Sequence, residues 1–199
     1  MTRIVVVPAA PVLLPEVSRQ QHPDCDEVLA ACDSVLSQVA SDADEVTIIA
    51  APDQLRDLTG PAVRRDRAVG DRVAEALLDR VGFRGARVRC APGDSPRIGS
   101  ALMFLADGSA DVTAKSPRPG AGGRGFDADL EAALRRGDFA ALAAITDSTA
   151  MAVGCVTAPV WRSLAAWVPG GGRCHHLAQF APFGVSYFVG SWTTEAGTR

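Results

Sequence analysis

At 199 residues, 47% of them hydrophobic, the chain can bury one sizeable core and fits a single domain spanning 1–199. Its formal net charge of -3 comes from 20 basic and 23 acidic residues scattered along the sequence, which leaves no basic face or stripe for nucleic acid. No apolar run approaches membrane-spanning length, so no membrane partner is expected.

In chain order, residues 4–7 read as a first strand, followed by the turn Pro8-Ala9-Ala10-Pro11 and by Pro15. Those three prolines, without a small-residue cleavage site, argue against a secretory signal and point to the cytoplasm. Asp24 with Glu27 three residues on forms a candidate capping box for a helix running to about Ala40. Val28, Cys32, Val35, Leu36 and Val39 give that helix one apolar stripe. Residues 46–50 read as a second strand, 69–81 as a second helix, 86–90 as a third strand and 101–106 as a fourth. This alternation predicts an α/β domain with a central, mostly parallel sheet and helices on both faces.

The pattern changes at residues 107–125, where Gly, Pro and Ser dominate and predict a long flexible loop. Gly120, Gly122 and Gly125 satisfy a GxGxxG spacing there, but no strand precedes them and no helix is expected to start at once. Helical patterns resume over 126–154 and 158–168, and the chain closes with two strand-like runs, 175–180 and 185–192, joined by Ala181-Pro182-Phe183-Gly184. They predict an antiparallel pair at one edge of the sheet.

Sites in such sheets form where loops leave the carboxyl ends of strands. The polar residues available in those loops are Asp53, Gln54, Asp107 and Ser109, with Lys115 in the long loop. Two readings of Asp53 and Asp107 stand side by side: caps that bond to nearby backbone, or polar groups of a pocket. The five cysteines, Cys25, Cys32, Cys90, Cys155 and Cys174, are odd in number and form no CxxC pair, which argues for reduced, mostly buried thiols. Cys155 in particular reads as a core thiol. Of the three histidines, His22 precedes the first helix, while His175 and His176 neighbour one another on a strand. Strand alternation lets only Cys174 and His176 share a side there. Trp161 and Trp167 read as helix packing.

Taken in order, "VVVPAAPVLLPE", "FLADGSADVTAKSP", "FDADLEAALRRGDFAAL" and "APFGVSYFVGSW" resemble the class III extradiol ring-cleavage dioxygenases of the LigB-like superfamily, in particular its short actinobacterial members. Active members of that family hold a non-haem Fe(II) with two histidines and a carboxylate, and use a further histidine as acid and base. The resemblance implies that the first metal histidine falls on Ala9 and the second near Asp53-Gln54. It places the acid/base histidine on Ala110 and the carboxylate near Ala158-Pro159. The expectation is therefore a pseudoenzyme with no catalytic residue, no metal and no cofactor, its cleft repurposed for an unknown small molecule or protein through Asp53, Gln54, Asp107, Ser109 and Lys115. The alternatives are an enzyme with changed, metal-independent chemistry in the retained cleft, or a ring-cleavage dioxygenase using unrecognised ligands.

Overall fold

A computed structural model describes residues 1–17, 23–52, 68–94, 101–113, 116, 120 and 122–194. Strand β1 (Thr2–Val7) leads through a short 3-10 turn (Pro11–Leu13) to helix α1 (Pro23–Asp42) and strand β2 (Glu45–Ala50). Helix α2 (Val69–Arg80), strand β3 (Ala86–Cys90) and strand β4 (Ala101–Leu105) follow. Three helices come next, α3 (Gly123–Arg136), α4 (Asp147–Val153) and α5 (Ala158–Trp167), with a 3-10 segment (Phe139–Ala144) after α3. Strands β5 (Arg173–Phe180) and β6 (Tyr187–Thr194) close the fold, joined through a 3-10 turn (Pro182–Gly184).

The six strands form one sheet in the order β3-β2-β4-β1-β6-β5. Pairings among β1, β2, β3 and β4 are parallel, while β6 runs antiparallel to both β1 and β5. The α/β class, the mostly parallel sheet and the antiparallel pair at one edge are thus as expected. Central strands are apolar on both sides because both sides are covered. Val5 and Val7 pack with the stripe of α1 and with Val73 and Leu77 of α2, whereas Ile4 and Val6 pack with Leu134 of α3 and Trp161 and Leu164 of α5.

Three local expectations change. Helix α1 begins at Pro23, so Asp24 lies inside the first turn with Asp26 instead of capping it. Proline suits that opening position, and the two carboxylates there complement the helix dipole. Helix α3 begins at Gly123, immediately after the αL residue Gly122, so a helix does start within the glycine-rich stretch. Its cause is distant in sequence: the Asp111 carboxylate accepts the N–H groups of Gly120 (2.7 Å) and Gly123 (3.0 Å), supplying an acceptor for a donor at the helix start. Among the described residues no strand precedes these glycines closely enough to make a dinucleotide turn.

The third change concerns the strand alternation at Cys174 and His176. Cys174 stands opposite Trp192 and His176 opposite Ser191, so the extra residue His175 makes a bulge. Because adjacent residues of β6 face opposite sides of the sheet, the bulge separates Cys174 from His176. Cys174 packs on the side of Trp192, and the two do not share a face as simple alternation predicts.

Candidate functional site

The parallel strands end together, and the turn after β1 meets the loop after β4. Ala106 N–H extends the pairing by bonding to the Val7 carbonyl (2.9 Å), which brings Asp107 beside Ala9. The Ala9 N–H then donates to Asp107 Oδ1 (3.1 Å). Asp107 also makes an antiparallel bridge to Tyr187 at the start of β6.

The main chain of Asp107 is held from the other side by residues about fifty positions later in the sequence. Its N–H donates to Thr157 Oγ1 (2.8 Å). Its carbonyl accepts from Thr157 Oγ1 (3.0 Å), Trp161 Nε1 (2.9 Å) and Cys155 Sγ (3.4 Å). Thr157 immediately precedes α5, and Trp161 lies one turn further along the same face. Three side chains directed at one backbone carbonyl fix where the Asp107 carboxyl sits, leaving that carboxyl one hydrogen bond, from Ala9, among the described residues.

Electrostatics follow from this packing. Asp107 is half-buried by surface exposure, but the protein around it is dense, and burial pushes its carboxyl up to about 7, opposed by the Ala9 N–H. Burial also raises the Tyr187 phenol, with the charges of Asp107 and Cys25 adding to it. The Cys155 thiol is pushed up to about 12 by burial and then by Asp107, which keeps it protonated and unreactive. All five cysteines are free thiols. Cys25, Cys32 and Cys155 are buried, while Cys90 and Cys174 are half-buried.

Ser109 is fully buried and bonds to helix α3: its N–H reaches Asp127 Oδ1 (2.8 Å) and its hydroxyl reaches Asp127 Oδ2 (2.7 Å). Asp127 is itself 3% exposed; burial raises its carboxyl, and the Ser109 bonds and the Ser186 hydroxyl counter the rise. Gln179 Nε2 donates to Ser186 Oγ (2.8 Å), so this network ties the loop after β4 to α3 and to the β5–β6 hairpin. Further along the loop, the N–H of Val112 (3.2 Å) and the hydroxyl of Ser116 (2.8 Å) both bond to the Gly184 carbonyl.

Of the sequence candidates, Asp107 and Ser109 have these places, whereas Asp53, Gln54 and Lys115 lie outside the described residues, as does His22. Ala110 is half-buried, its N–H bonded to the Val153 carbonyl (2.9 Å). Thr157, Trp161, Tyr187 and Asp127 escaped the sequence reading as site residues. The Thr-Ala-Pro start of α5 with Trp161 four residues after Thr157 was the one available signal.

The Fe(II) that the resemblance implies does not fit the described residues. Ala9, Ala110 and Ala158 carry methyl groups where the resemblance asks for donors, and among the described residues no group of three or more His, Cys, Asp and Glu could hold a metal ion. His175 bonds to Thr193 Oγ1 (2.7 Å) on the edge of the sheet, away from Asp107. A separate cleft of about 690 Å³ lies between the turn after β1, α1 and α2, lined by Leu13, Leu29, Leu77 and Arg80 among others, and neither Asp107 nor Ala9 borders it. Its Arg80 is already bonded to the Asp33 carboxylate (2.8 Å). No model of a known protein family matches the sequence, and no curated protein matches it. Among the described residues no helix is long and apolar enough to cross a membrane.

Proposed function

We propose that this chain is a LigB-like protein of the extradiol-dioxygenase fold that has lost its Fe(II) ligands and its acid/base histidine. Its retained cleft binds a small molecule or a partner protein, with Asp107 as the central polar group, and the protein works in the cytoplasm. One observation carries the reading: the turn bearing Ala9, the loop bearing Asp107 and Ala110, and the start of α5 at Ala158 meet around Asp107, through its bonds to Ala9 and Thr157. These are three of the four places where the resemblance puts a metal ligand or the acid/base histidine.

Two measurements test it. Elemental analysis of protein prepared with iron present is expected to find no stoichiometric metal, and a full equivalent of tightly bound iron, zinc or manganese would overturn the ligand assignment. Ala9→His combined with Gln54→His, or with Asp53→His, is expected to bind zinc more tightly than either single variant, because the resemblance assigns both positions to one metal site, where two neutral imidazoles would serve as ligands. If neither pair gains affinity over its singles in calorimetric titration, the family assignment of the site falls.

A second reading, metal-independent chemistry in the same cleft, is favoured by the Asp107 carboxyl, whose proton affinity near neutrality suits proton transfer at ordinary pH. Carbon-13 NMR titration of the aspartate carboxyls separates the two. A group titrating near 7 that disappears in Asp107→Asn keeps the enzymatic reading alive, and titration of Asp107 near the ordinary carboxylate value removes it.

A further inference from the structure

The two edges of the sheet are unlike. Strand β3 is five residues long and carries Arg87 and Arg89, both ion-paired to Glu75 on α2. Charge of this kind discourages the addition of another strand. Strand β5 is eight residues long and, among the described residues, pairs only with β6. From Cys174 to Thr194 the sequence contains no Asp, Glu, Lys or Arg. The devices that commonly blunt an edge are thus absent from residues 176–180, and the one bulge sits at the strand's start, at His175. His175, His176 and Gln179 are exposed, while Leu177 and Phe180 are half-buried on opposite sides of the sheet.

We infer that β5 is a dimerisation edge, joining antiparallel to β5 of a second copy across a two-fold axis so that one sheet runs through both. Unpaired backbone N–H and C=O groups along an edge select another strand as their partner. A second copy fits because residues 174–180, which hold no Asp, Glu, Lys or Arg, bring no like charges opposite one another when the strand meets itself. Pairing β5 with β3 of another copy would instead be head-to-tail and would leave free edges from which an open chain grows, whereas β5 on β5 closes after two copies. The small residue Ala178 is placed at the two-fold. His176 then stands opposite Phe180 of the other copy and Leu177 opposite its Gln179.

Sedimentation analysis of the full chain over a range of concentrations tests the proposal, with Ala178→Glu and Ala178→Cys as variants. The parent is expected to sediment as a dimer. Ala178→Glu, which sets two carboxylates opposite one another, is expected to weaken the dimer about tenfold or more while far-UV circular dichroism is unchanged. Should that variant fail to fold, Ala178→Cys decides: directly opposed strand residues lie within disulfide reach, so mild oxidation should give a covalent dimer that the parent, with its half-buried Cys174, does not give. A parent that stays monomeric at every concentration overturns the proposal. So does a dimer that Ala178→Glu leaves intact and Ala178→Cys does not cross-link, or a mass that climbs without limit.

Discussion

Replacing Thr157 by valine keeps the shape of the side chain and removes one hydroxyl, which in the native protein accepts from Asp107 N–H (2.8 Å) and donates to Asp107 O (3.0 Å). The two lost bonds are not equivalent. The carbonyl keeps Trp161 Nε1 and Cys155 Sγ, whereas no other acceptor for the Asp107 N–H is found among the described residues. An unsatisfied buried donor costs about 1–3 kcal/mol. This site is only partly buried, so a loss of about 1–2 kcal/mol is expected, lowering the melting temperature by about 2–8 °C for a chain of this size. Thr157→Ser retains the hydroxyl and sacrifices a methyl, for a loss of about 1 kcal/mol or less. Because those ranges touch, the deciding assay is amide hydrogen exchange at Asp107. Protection should survive in the serine variant and collapse in the valine variant. If Thr157→Val preserves both the melting temperature and the protection of the Asp107 amide, the clamp does not hold Asp107 and the argument for a fixed carboxyl fails.

The remaining predictions concern pH and packing. Since burial raises the Asp107 carboxyl to about 7, the folded state holds a proton that the unfolded chain releases near the ordinary carboxylate value. Its contribution is therefore full below about pH 4 and declines as pH rises to about 7, with a slope of at most about 1.4 kcal/mol per pH unit. Urea titrations of Asp107→Asn should show a shallower decline than the parent; an equal slope would mean Asp107 is not the group responsible. Ser191 Oγ is buried and has no hydrogen-bond partner among the described residues, so Ser191→Ala is expected to leave stability unchanged or raise it by about 1 kcal/mol, and a loss larger than that would reveal a missed partner. Gly137 ends α3 at φ +67, and a Cβ there would stand 1.7 Å from the Gly172 carbonyl oxygen. Gly137→Ala should cost more than about 2 kcal/mol in denaturant unfolding, beyond the usual penalty for a left-handed alanine, and a smaller loss would show that the contact yields easily.

Elements whose causes are local could be read from residue order alone. The stripe from Val28 to Val39 can only be one face of a helix, and runs such as those in β1 and β4 are apolar throughout because a central parallel strand is covered on both sides. The antiparallel hairpin was legible for the same reason, from two strand-like runs and a short turn. Asp107 could be named as a candidate because it follows a strand, but its character could not. That depends on Thr157, Trp161 and Cys155, about fifty residues away, and on Ala9, nearly a hundred residues earlier, and only the fold brings their donors to it. Ser109 looked like a pocket residue until α3 buried it against Asp127. The bulge at His175 sent Cys174 and His176 to opposite sides, although alternation alone put them on one. Period and propensity act over one or two turns of chain, whereas burial, register and proton affinity are set by whatever the rest of the molecule places against a group, and that is decided only when the sheet and its helices have assembled.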